Sequence, residues 1–319
     1  MKKIFLLLGL GVCSQTFAGL TVFTDVAVSD AKPSVTASIF ALDGNDFRVK
    51  AVSVAALSQA DQSQRSRIAV KDLSTIKLAA PRPGSATLYV NGGFSGSQAD
   101  RPVGLLISGN RLLSIPNFSR IEGDPQNSCT HLRESRYKYS GLACVQPDGT
   151  FYTGQFVDKM AESCSEAVQT SPVLVREPGG VAVCSQETTA PKARRTALCT
   201  TSTNGTQGVL NIVVTNHPVS LFEFATWLAS PQSSGGLGCS NAINLSGDNS
   251  SGAILLTTSG QTREKFQLFG DGSYPQASFL SFSGPSSAVR YKIGQSANNP
   301  AGTIQSRGDK RESPSNSTR

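Results

Sequence analysis

The sequence predicts an α+β domain made mainly of antiparallel sheet, with a few helices packed on it. Three observations support this class: the apolar runs are short, turn-forming residues separate them in pairs, and one segment has a complete helix-start signature. Strands that follow one another through tight turns pair antiparallel. We therefore expect strands to outnumber helices.

Residues 1–18 have the pattern of a secretory signal peptide. Lys2 and Lys3 precede an apolar stretch that is too short to span a bilayer, and Ala18 completes a small-x-small cleavage site. The mature chain would then begin at Gly19, and we expect an exported protein, periplasmic or secreted. Cys13 leaves lipidation as an alternative, although Val12 fits a lipid-attachment motif poorly. No later apolar run reaches the ~20 residues of a membrane helix, so we expect no stable membrane insertion.

Four pairs of short runs have the pattern of β-hairpins. The clearest has Asp148-Gly149 at its turn, because Asp-Gly favours the positive φ of a tight hairpin turn. The four predicted hairpins join residues 103–107 to 111–115, 141–146 to 150–156, 196–201 to 209–215, and 267–269 to 277–282.

One helix is well signalled after Ser220. Glu223 lies three residues further on and completes a capping box, apolar residues then recur at helical spacing, and Pro231 follows the end. A second, weaker helix is predicted within residues 157–168. The region 19–291 is predicted to form a single domain.

The C-terminal segment 292–319 is predicted to be a disordered basic tail. It contains five basic and two acidic residues and is rich in Ser, Asn, Gly and Pro. It therefore holds much of the formal net charge of +7. The basic residues do not cluster with aromatic residues on a recognisable module, so we expect no nucleic-acid partner.

The cysteine and histidine content argues against a metal site and allows disulfides. Of the seven cysteines, six follow the signal segment, which allows up to three disulfides in an exported chain. None forms a Cys-x-x-Cys pair, and the chain has two histidines, so we expect neither a metal site nor a cofactor.

Three segments share small polar residues at the ends of strand-like runs. They are Asn91-Gly92-Gly93, Arg194-Arg195-Thr196-Ala197, and the block 241–251, which reads Asn-Ala-Ile-Asn-Leu-Ser-Gly-Asp-Asn-Ser-Ser. Together with Gln169 and Pro172 between the first two, they resemble, in order, the motifs of the phosphodiester glycosidase family. This is the family of the lysosomal enzyme that uncovers mannose 6-phosphate. The resemblance covers about residues 43–256 and implies the fold of that family.

The chain departs from the family pattern in its last block. Ser246 stands where the family has Asp, and Asp248 stands where it has a second Gly. Ser171 also replaces a Gly. Because the family Asp is the obvious carboxylate for sugar chemistry, Asp248 becomes the candidate to replace it, two residues further along.

The resemblance implies a phosphate and sugar site, with Asp248 and Arg195 as its catalytic residues. An Arg fork binds phosphate oxygens two at a time, and we expect the neighbouring Arg194 to be solvated. Glycine allows backbone amides to approach an anion. The substrate-binding candidates are Asn91, Gly92, Gly93, Thr196, Asn244, Ser246, Gly247, Ser250 and Ser251. The alternative for each segment is a plain strand end followed by a polar turn.

The resemblance implies an exported hydrolase that cleaves a sugar from a phosphodiester-linked or phosphate-bearing glycan. The alternative is a catalytically degenerate periplasmic protein that binds sugar phosphate or is structural. Because Cys199 and Cys239 flank the site segments, we expect them to form one of the disulfides.

Overall fold

The computed structural model describes residues 19–28, 35–43, 47–53, 82–95, 101–119, 139–177, 180–183, 192–203, 206–247, 250–258, 264–271 and 277–293. The predicted signal segment 1–18 lies outside them. The strands, in chain order, are β1 (Gly19–Ala27), β2 (Thr36–Asp43), β3 (Arg48–Ser53), β4 (Ser85–Asn91), β5 (Leu106–Ser108), β6 (Arg111–Ser114), β7 (Gly141–Val145), β8 (Phe151–Gln155), β9 (Glu166–Thr170), β10 (Val173–Arg176), β11 (Gly180–Val181), β12 (Arg195–Thr203), β13 (Thr206–Thr215), β14 (Asn241–Gly247), β15 (Gly252–Thr258), β16 (Glu264–Gly270), β17 (Ser278–Pro285) and β18 (Val289–Ile293). The helices are α1 (Asp158–Ser163) and α2 (Leu221–Ala229), and short 3₁₀ turns occur at Gln232–Ser234 and Ser286–Ala288.

Within the described residues these strands form three sheets. The large sheet has the order β11-β10-β14-β12-β13-β2-β1-β18, the second sheet β16-β15-β4-β17-β3, and the third sheet β6-β5-β9-β7-β8. All the pairings between described strands are antiparallel except that of β1 with β18, where Leu20 lies opposite Val289 in a parallel ladder. The predicted dominance of antiparallel sheet is confirmed, whereas the two short helices among the described residues make α+β too generous a description.

The main core lies where the three sheets face one another. Phe40 and Ile212 of the large sheet pack in one cluster with Leu88 and Phe282 of the second sheet, and with residues of the third. Phe40 also meets Phe269 edge to face, with ring centroids 4.8 Å apart. Burial of such side chains contributes about 1.5–3 kcal/mol each, so this junction dominates the stability of the fold.

Helix α2 covers the opposite face of the large sheet. Its predicted capping box is present: the Ser220 side chain accepts from the Glu223 N–H, and the Glu223 carboxylate accepts from the Ser220 N–H. Phe224 and Leu228 are fully buried in a cluster with residues on that face of the large sheet. The sequence therefore predicted both the start of this helix and its buried face.

The weaker helix prediction, 157–168, is only partly correct. Helix α1 ends at Ser163, and the chain continues as strand β9, in which all five residues are buried. β9 pairs with β5 on one side and β7 on the other. Ladder hydrogen bonds on both edges therefore override the helical spacing of its apolar residues.

Three of the four predicted hairpins are confirmed, and the fourth is wrong. β5 pairs with β6, β7 with β8, and β12 with β13. β16 and β17 belong to the same sheet but are not neighbours, because β15 and β4 lie between them. β16 and β17 therefore pair with strands from distant parts of the chain and not with each other.

Two disulfides join described residues. The predicted pair Cys199–Cys239 is confirmed, and Cys144–Cys164 is the second. Cys129 and Cys184 lie outside the described residues. In the part of the chain that the structure describes, no helix is long and apolar enough to cross a membrane.

The last strand reaches into the predicted tail. Lys292 and Ile293 pair with Phe23 and Thr24 of β1, and the Lys292 ammonium lies 5.4 Å from the centre of the Phe23 ring. The beginning of the predicted tail is therefore part of the sheet, and residues 294–319 lie outside the described part.

Candidate functional site

The predicted site segments occupy strand ends at one place where the sheets join. β14 ends in the large sheet at Gly247, and residues 248–251 connect it to β15 at the start of the second sheet. The first residues of β12 lie beside the end of β14, with Arg195 opposite Gly247. The end of β4 lies beside the start of β15, with Val90 opposite Ala253. The connection from β14 to β15 thus joins the two sheets, and strand ends from segments far apart in the sequence lie beside it.

Asn91 holds the end of β4 to the start of β15. Its side chain is fully buried, and its Oδ1 accepts a 3.1 Å hydrogen bond from the Gly252 N–H. The side-chain oxygen of Asn91 therefore has a hydrogen-bond partner within the protein, and the structure gives Asn91 a role in joining the two strands.

The two glycines after Asn91 are closely packed against neighbouring protein groups. The Gly92 N–H donates to the Ser278 carbonyl at 2.9 Å, so it is already used within the protein. A Cβ on Gly92 would lie 2.4 Å from Ser278 Oγ, and one on Gly93 would lie 2.5 Å from the Gln169 carbonyl oxygen. Ser278 and Gln169 therefore occupy the space into which a side chain at either position would point.

Gln169 is the buried centre of this packing. Its Oε1 accepts from the N–H groups of Leu105 and Asn117, at 3.0 and 2.8 Å, and its Nε2 donates to the carbonyl oxygens of Asn117 and Tyr139, at 3.3 and 2.9 Å. The next residue, Thr170, donates its hydroxyl to the carbonyl oxygens of both Asn244 and Leu245, at 2.7 and 2.8 Å. Strand β9 therefore links the glycines after β4 to the end of β14.

Asn244 carries a buried acceptor without a partner. Its Nδ2 donates to the Ser171 carbonyl at 2.9 Å, which fixes which end of the amide is which. Its Oδ1 is buried and makes no hydrogen bond to any described residue. Because a buried unpaired acceptor costs about 1–3 kcal/mol, this oxygen is suited to receive a ligand hydroxyl.

Arg195 is half-buried at the start of β12. Its N–H donates to Thr215 Oγ1 at 2.7 Å, and its Nε donates to the Val219 carbonyl at 3.4 Å. The guanidinium lies over Gly247, where a Cβ would come within 2.8 Å of Arg195 Nη1. A side chain at position 247 would therefore shift the end of the Arg195 side chain.

Alternation along the strands divides the predicted residues between two sides of the large sheet. Ala197 and Ala242 pack on the α2 side, whereas Leu198 and Ile243 pack toward the second sheet. Arg195 and Asn244 therefore lie on the α2 side, and Thr196 faces the second sheet. We call Arg195, Asn244 and Gly247 the helix-side cluster. Arg195 and Ala197 are about 6–7 Å apart along β12, and Ala197 lies directly opposite Asn244.

On the side facing the second sheet, two more buried hydroxyls lack partners among the described residues. They are Thr196 Oγ1, at the start of β12, and Ser278 Oγ, beside Gly92. Thr153 Oγ1 is a further hydroxyl of this kind, in β8 and outside these strand ends. Ser278 was not singled out by the sequence, and no motif around it could have found it.

Arg194 is not the solvated neighbour that the sequence suggested. Its Nη1 lies 2.8 Å from Asp271 Oδ2, and its Nε donates to the Asn216 carbonyl at 3.3 Å. The second sheet lies over this side of β12 and supplies Asp271, which was not singled out from the sequence.

The connection 248–251 is described at its C-terminal end. Ser250 Oγ donates to the Gly247 carbonyl at 2.5 Å, and Ser251 Oγ donates to the Arg194 carbonyl at 3.0 Å. The backbone of Ser246 pairs with Thr196. Asp248, the predicted catalytic carboxylate, lies outside the described residues together with Asn249, so its role stays a prediction.

Among the described residues, the side chains with shifted pKa values lie away from the helix-side cluster. Burial raises the pKa of Tyr89 in β4, and burial likewise raises the pKa of Tyr152 in β8. No group of three or more His, Cys, Asp or Glu residues among the described ones could hold a metal ion.

In the described residues, a sheet-dominated fold thus carries small polar residues and an arginine at neighbouring strand ends. The family model for phosphodiester glycosidase matches residues 84–279, more than half of the chain, and the protein therefore belongs to the phosphodiester glycosidase family. No curated protein matches the sequence.

Two solved structures are similar to this chain. One is the zebrafish N-acetylglucosamine-1-phosphodiester alpha-N-acetylglucosaminidase catalytic domain, auto-inhibited by its pro-peptide. It has a TM-score of 0.52 at 13% identity, with 84% of each chain covered, and so shares the fold. The other is a hypothetical protein from Synechocystis, with a TM-score of 0.45 at 12% identity. That match covers 78% of this chain and 59% of the Synechocystis chain.

Proposed function

We propose that the protein is an exported hydrolase that cleaves a sugar from a phosphodiester-linked or phosphate-bearing glycan. The family supplies the reaction class, and the named activity of the zebrafish enzyme belongs to the same class. The observation that carries the proposal is the helix-side cluster: a half-buried arginine and a buried amide oxygen without a partner on one face of two paired strands.

The two groups suit the two parts of such a substrate. The Arg195 guanidinium presents several N–H donors in one plane, which matches two phosphate oxygens. The Asn244 oxygen accepts a hydrogen bond, which matches a sugar hydroxyl.

Asp248 supplies the carboxylate in this proposal, in place of the family Asp at position 246. Glycoside hydrolysis usually needs one carboxylic acid to protonate the leaving oxygen and a second carboxylate to stabilise or attack the sugar cation. A phosphate leaving group has a second pKa of about 6 and leaves with little help, so the acid matters less. One carboxylate is then sufficient.

Export and domain organisation follow as part of the proposal. Two disulfides are compatible with an oxidising compartment, and the signal pattern at residues 1–18 would direct the chain there. Residues 19–291 would form the catalytic domain, with the basic tail beyond it.

We expect Arg195→Ala to weaken binding of a sugar 1-phosphate by about 1.5–3 kcal/mol, or roughly ten- to a hundredfold, because a charge-assisted hydrogen bond is lost. Titration calorimetry on the two proteins measures this. Binding of the matching methyl glycoside, which has no phosphate, should change little.

The matched control is Arg111→Ala, which removes an exposed arginine from edge strand β6. It should leave the affinity unchanged. Equal weakening by both substitutions would mean that general charge attracts the ligand, and the assignment of Arg195 would be wrong. If wild type binds the sugar phosphate but releases no sugar from a phosphodiester, the protein is a binding protein.

A further inference from the structure

Two aromatic rings lie together at the margin of the core, close to the end of β4. The Phe94 and Tyr139 rings have centroids 5.8 Å apart and are tilted by 59° to each other. Both side chains are half-buried, and neither belongs to any of the four apolar clusters formed by the described residues. The pair therefore leaves part of its aromatic surface accessible.

Hydrogen bonds hold both members of this ring pair in place. Gln169 Nε2 donates to the Tyr139 carbonyl at 2.9 Å, from strand β9 of the third sheet. Ser95 follows Phe94, and its Oγ accepts from the Ala277 N–H at 2.8 Å, at the start of β17 in the second sheet. Because the two rings are already positioned by the protein, a ligand that binds to them need not order them first.

A buried hydroxyl lies beside the segment that carries the ring pair. Ser278 follows Ala277, whose amide bonds to Ser95, so residue 278 is next to the chain around Phe94. Ser278 is 1% exposed, and its Oγ, beside Gly92, makes no hydrogen bond to any described residue. Because burial of a hydroxyl without a partner is costly, this oxygen is suited to bond with a ligand hydroxyl.

An aromatic face beside a hydroxyl matches the two kinds of surface that a sugar ring has. The C–H groups on one face of a pyranose are apolar and pack on the negative face of an aromatic ring, while the hydroxyls at its rim form hydrogen bonds. A purely apolar ligand would leave the Ser278 hydroxyl unpaired. The combination therefore favours a sugar over a lipid chain or an apolar peptide side chain.

Strand β9 connects the ring pair to the helix-side cluster. Gln169 bonds to the Tyr139 carbonyl, and the next residue, Thr170, donates its hydroxyl to the carbonyl oxygens of Asn244 and Leu245. The ring pair and the cluster are thus separate groups of residues linked by two adjacent residues of one strand. A ligand that contacts both groups therefore needs more than one sugar ring.

We propose that Phe94, Tyr139 and Ser278 form a subsite for a second sugar ring of the glycan. The sugar stacks on the ring pair, and one of its hydroxyls bonds to Ser278 Oγ. This rests on the proposed function, in which the first sugar and its phosphate bind at the helix-side cluster. The subsite defines the substrate class further: an oligosaccharide that carries phosphate, not a single sugar phosphate.

Binding of three neutral oligosaccharides, maltotriose, cellotriose and triacetylchitotriose, tests the subsite without the reaction. In titration calorimetry we expect wild type to bind at least one of them. Phe94→Leu should bind it at least about tenfold more weakly, because leucine keeps the apolar volume but lacks the aromatic face. Phe94→Tyr keeps the ring and should bind like wild type. In proton NMR, stacking should move the C–H resonances of the sugar upfield with wild type and not with Phe94→Leu.

Ser278→Ala separates a ligand-binding role from a structural one. Removal of a buried hydroxyl that has no partner should leave the melting temperature unchanged or slightly raised, yet weaken oligosaccharide binding roughly fivefold. The matched control is Tyr291→Leu, which removes an aromatic side chain that is 50% exposed on edge strand β18 of the large sheet. It should leave the affinity unchanged. A lower melting temperature with unchanged affinity in Ser278→Ala would reject the role of Ser278.

Two results would overturn the subsite: wild type binds none of the three oligosaccharides, or Phe94→Leu binds them as tightly as wild type. Failure of the proposed function is a different result, in which wild type binds an oligosaccharide in a way that depends on Phe94 but releases no sugar from a phosphodiester. Sugar release by wild type, with binding that does not depend on Phe94, would instead retain the reaction and reject the subsite.

Discussion

Asp248→Asn is expected to reduce release of sugar from a model phosphodiester by about a thousandfold or more, the scale seen when a group that acts directly on the reacting centre is removed. The amide keeps the shape of the side chain but removes the negative charge that stabilises a developing sugar cation. Affinity for a sugar 1-phosphate should remain within about twofold, because in the proposal phosphate and sugar are held by Arg195 and Asn244.

The control for this substitution is Asp43→Asn, at the exposed end of β2. It removes the same charge outside the site and should leave turnover unchanged. Continuous assay of sugar release, with the amount of folded protein checked by circular dichroism, measures both variants. If Asp248→Asn retained wild-type turnover, Asp248 would not replace the family Asp, and the carboxylate would have to come from another residue.

Removal of the Cys199–Cys239 disulfide is expected to lower the free energy of unfolding by about 4 kcal/mol, from the entropy of closing a loop between residues 40 apart. The bond joins β12 to the segment that leads into β14, the two strands that carry Arg195 and Asn244. Both cysteines are buried, so alanine substitutions also leave unfilled space.

Urea unfolding of Cys199→Ala/Cys239→Ala against wild type measures this loss. The comparison variant is Cys144→Ala/Cys164→Ala, which removes a bond between residues 20 apart and should cost about 3 kcal/mol. This bond joins β7 of the third sheet to the end of α1, and its removal should leave sugar-phosphate affinity unchanged. A loss below about 1 kcal/mol for the Cys199–Cys239 pair would show that this bond constrains the unfolded chain little.

Local sequence patterns correctly predicted several elements of the fold. Asp148-Gly149 predicted its hairpin, and Ser220 with Glu223 predicted the start of α2, because turns and caps depend on neighbouring residues. The fourth hairpin failed because β16 and β17 each found partners from distant parts of the chain. Strand pairing over long distances is set by the whole core, which no local pattern reports.

The sequence named the segments of the candidate site but not their arrangement. In the structure the ends of β4, β12 and β14 lie near the connection between the two sheets, and Arg195 lies on the same face as Asn244. The glycines after Asn91 leave room for Ser278 and Gln169. A sequence alone does not show whether a glycine leaves room for a protein group or for a ligand. The partner of Arg194 also comes from another sheet, so its role could be read only from the assembled structure.

A crystal structure with a bound sugar 1-phosphate tests the central claim most directly. We expect the phosphate oxygens within about 3 Å of the Arg195 guanidinium, and a sugar hydroxyl within the same distance of Asn244 Oδ1. The Gly92 amide should still donate to the Ser278 carbonyl. A ligand bound elsewhere, with Arg195 and Asn244 making the contacts they make now, would contradict the assignment of this site.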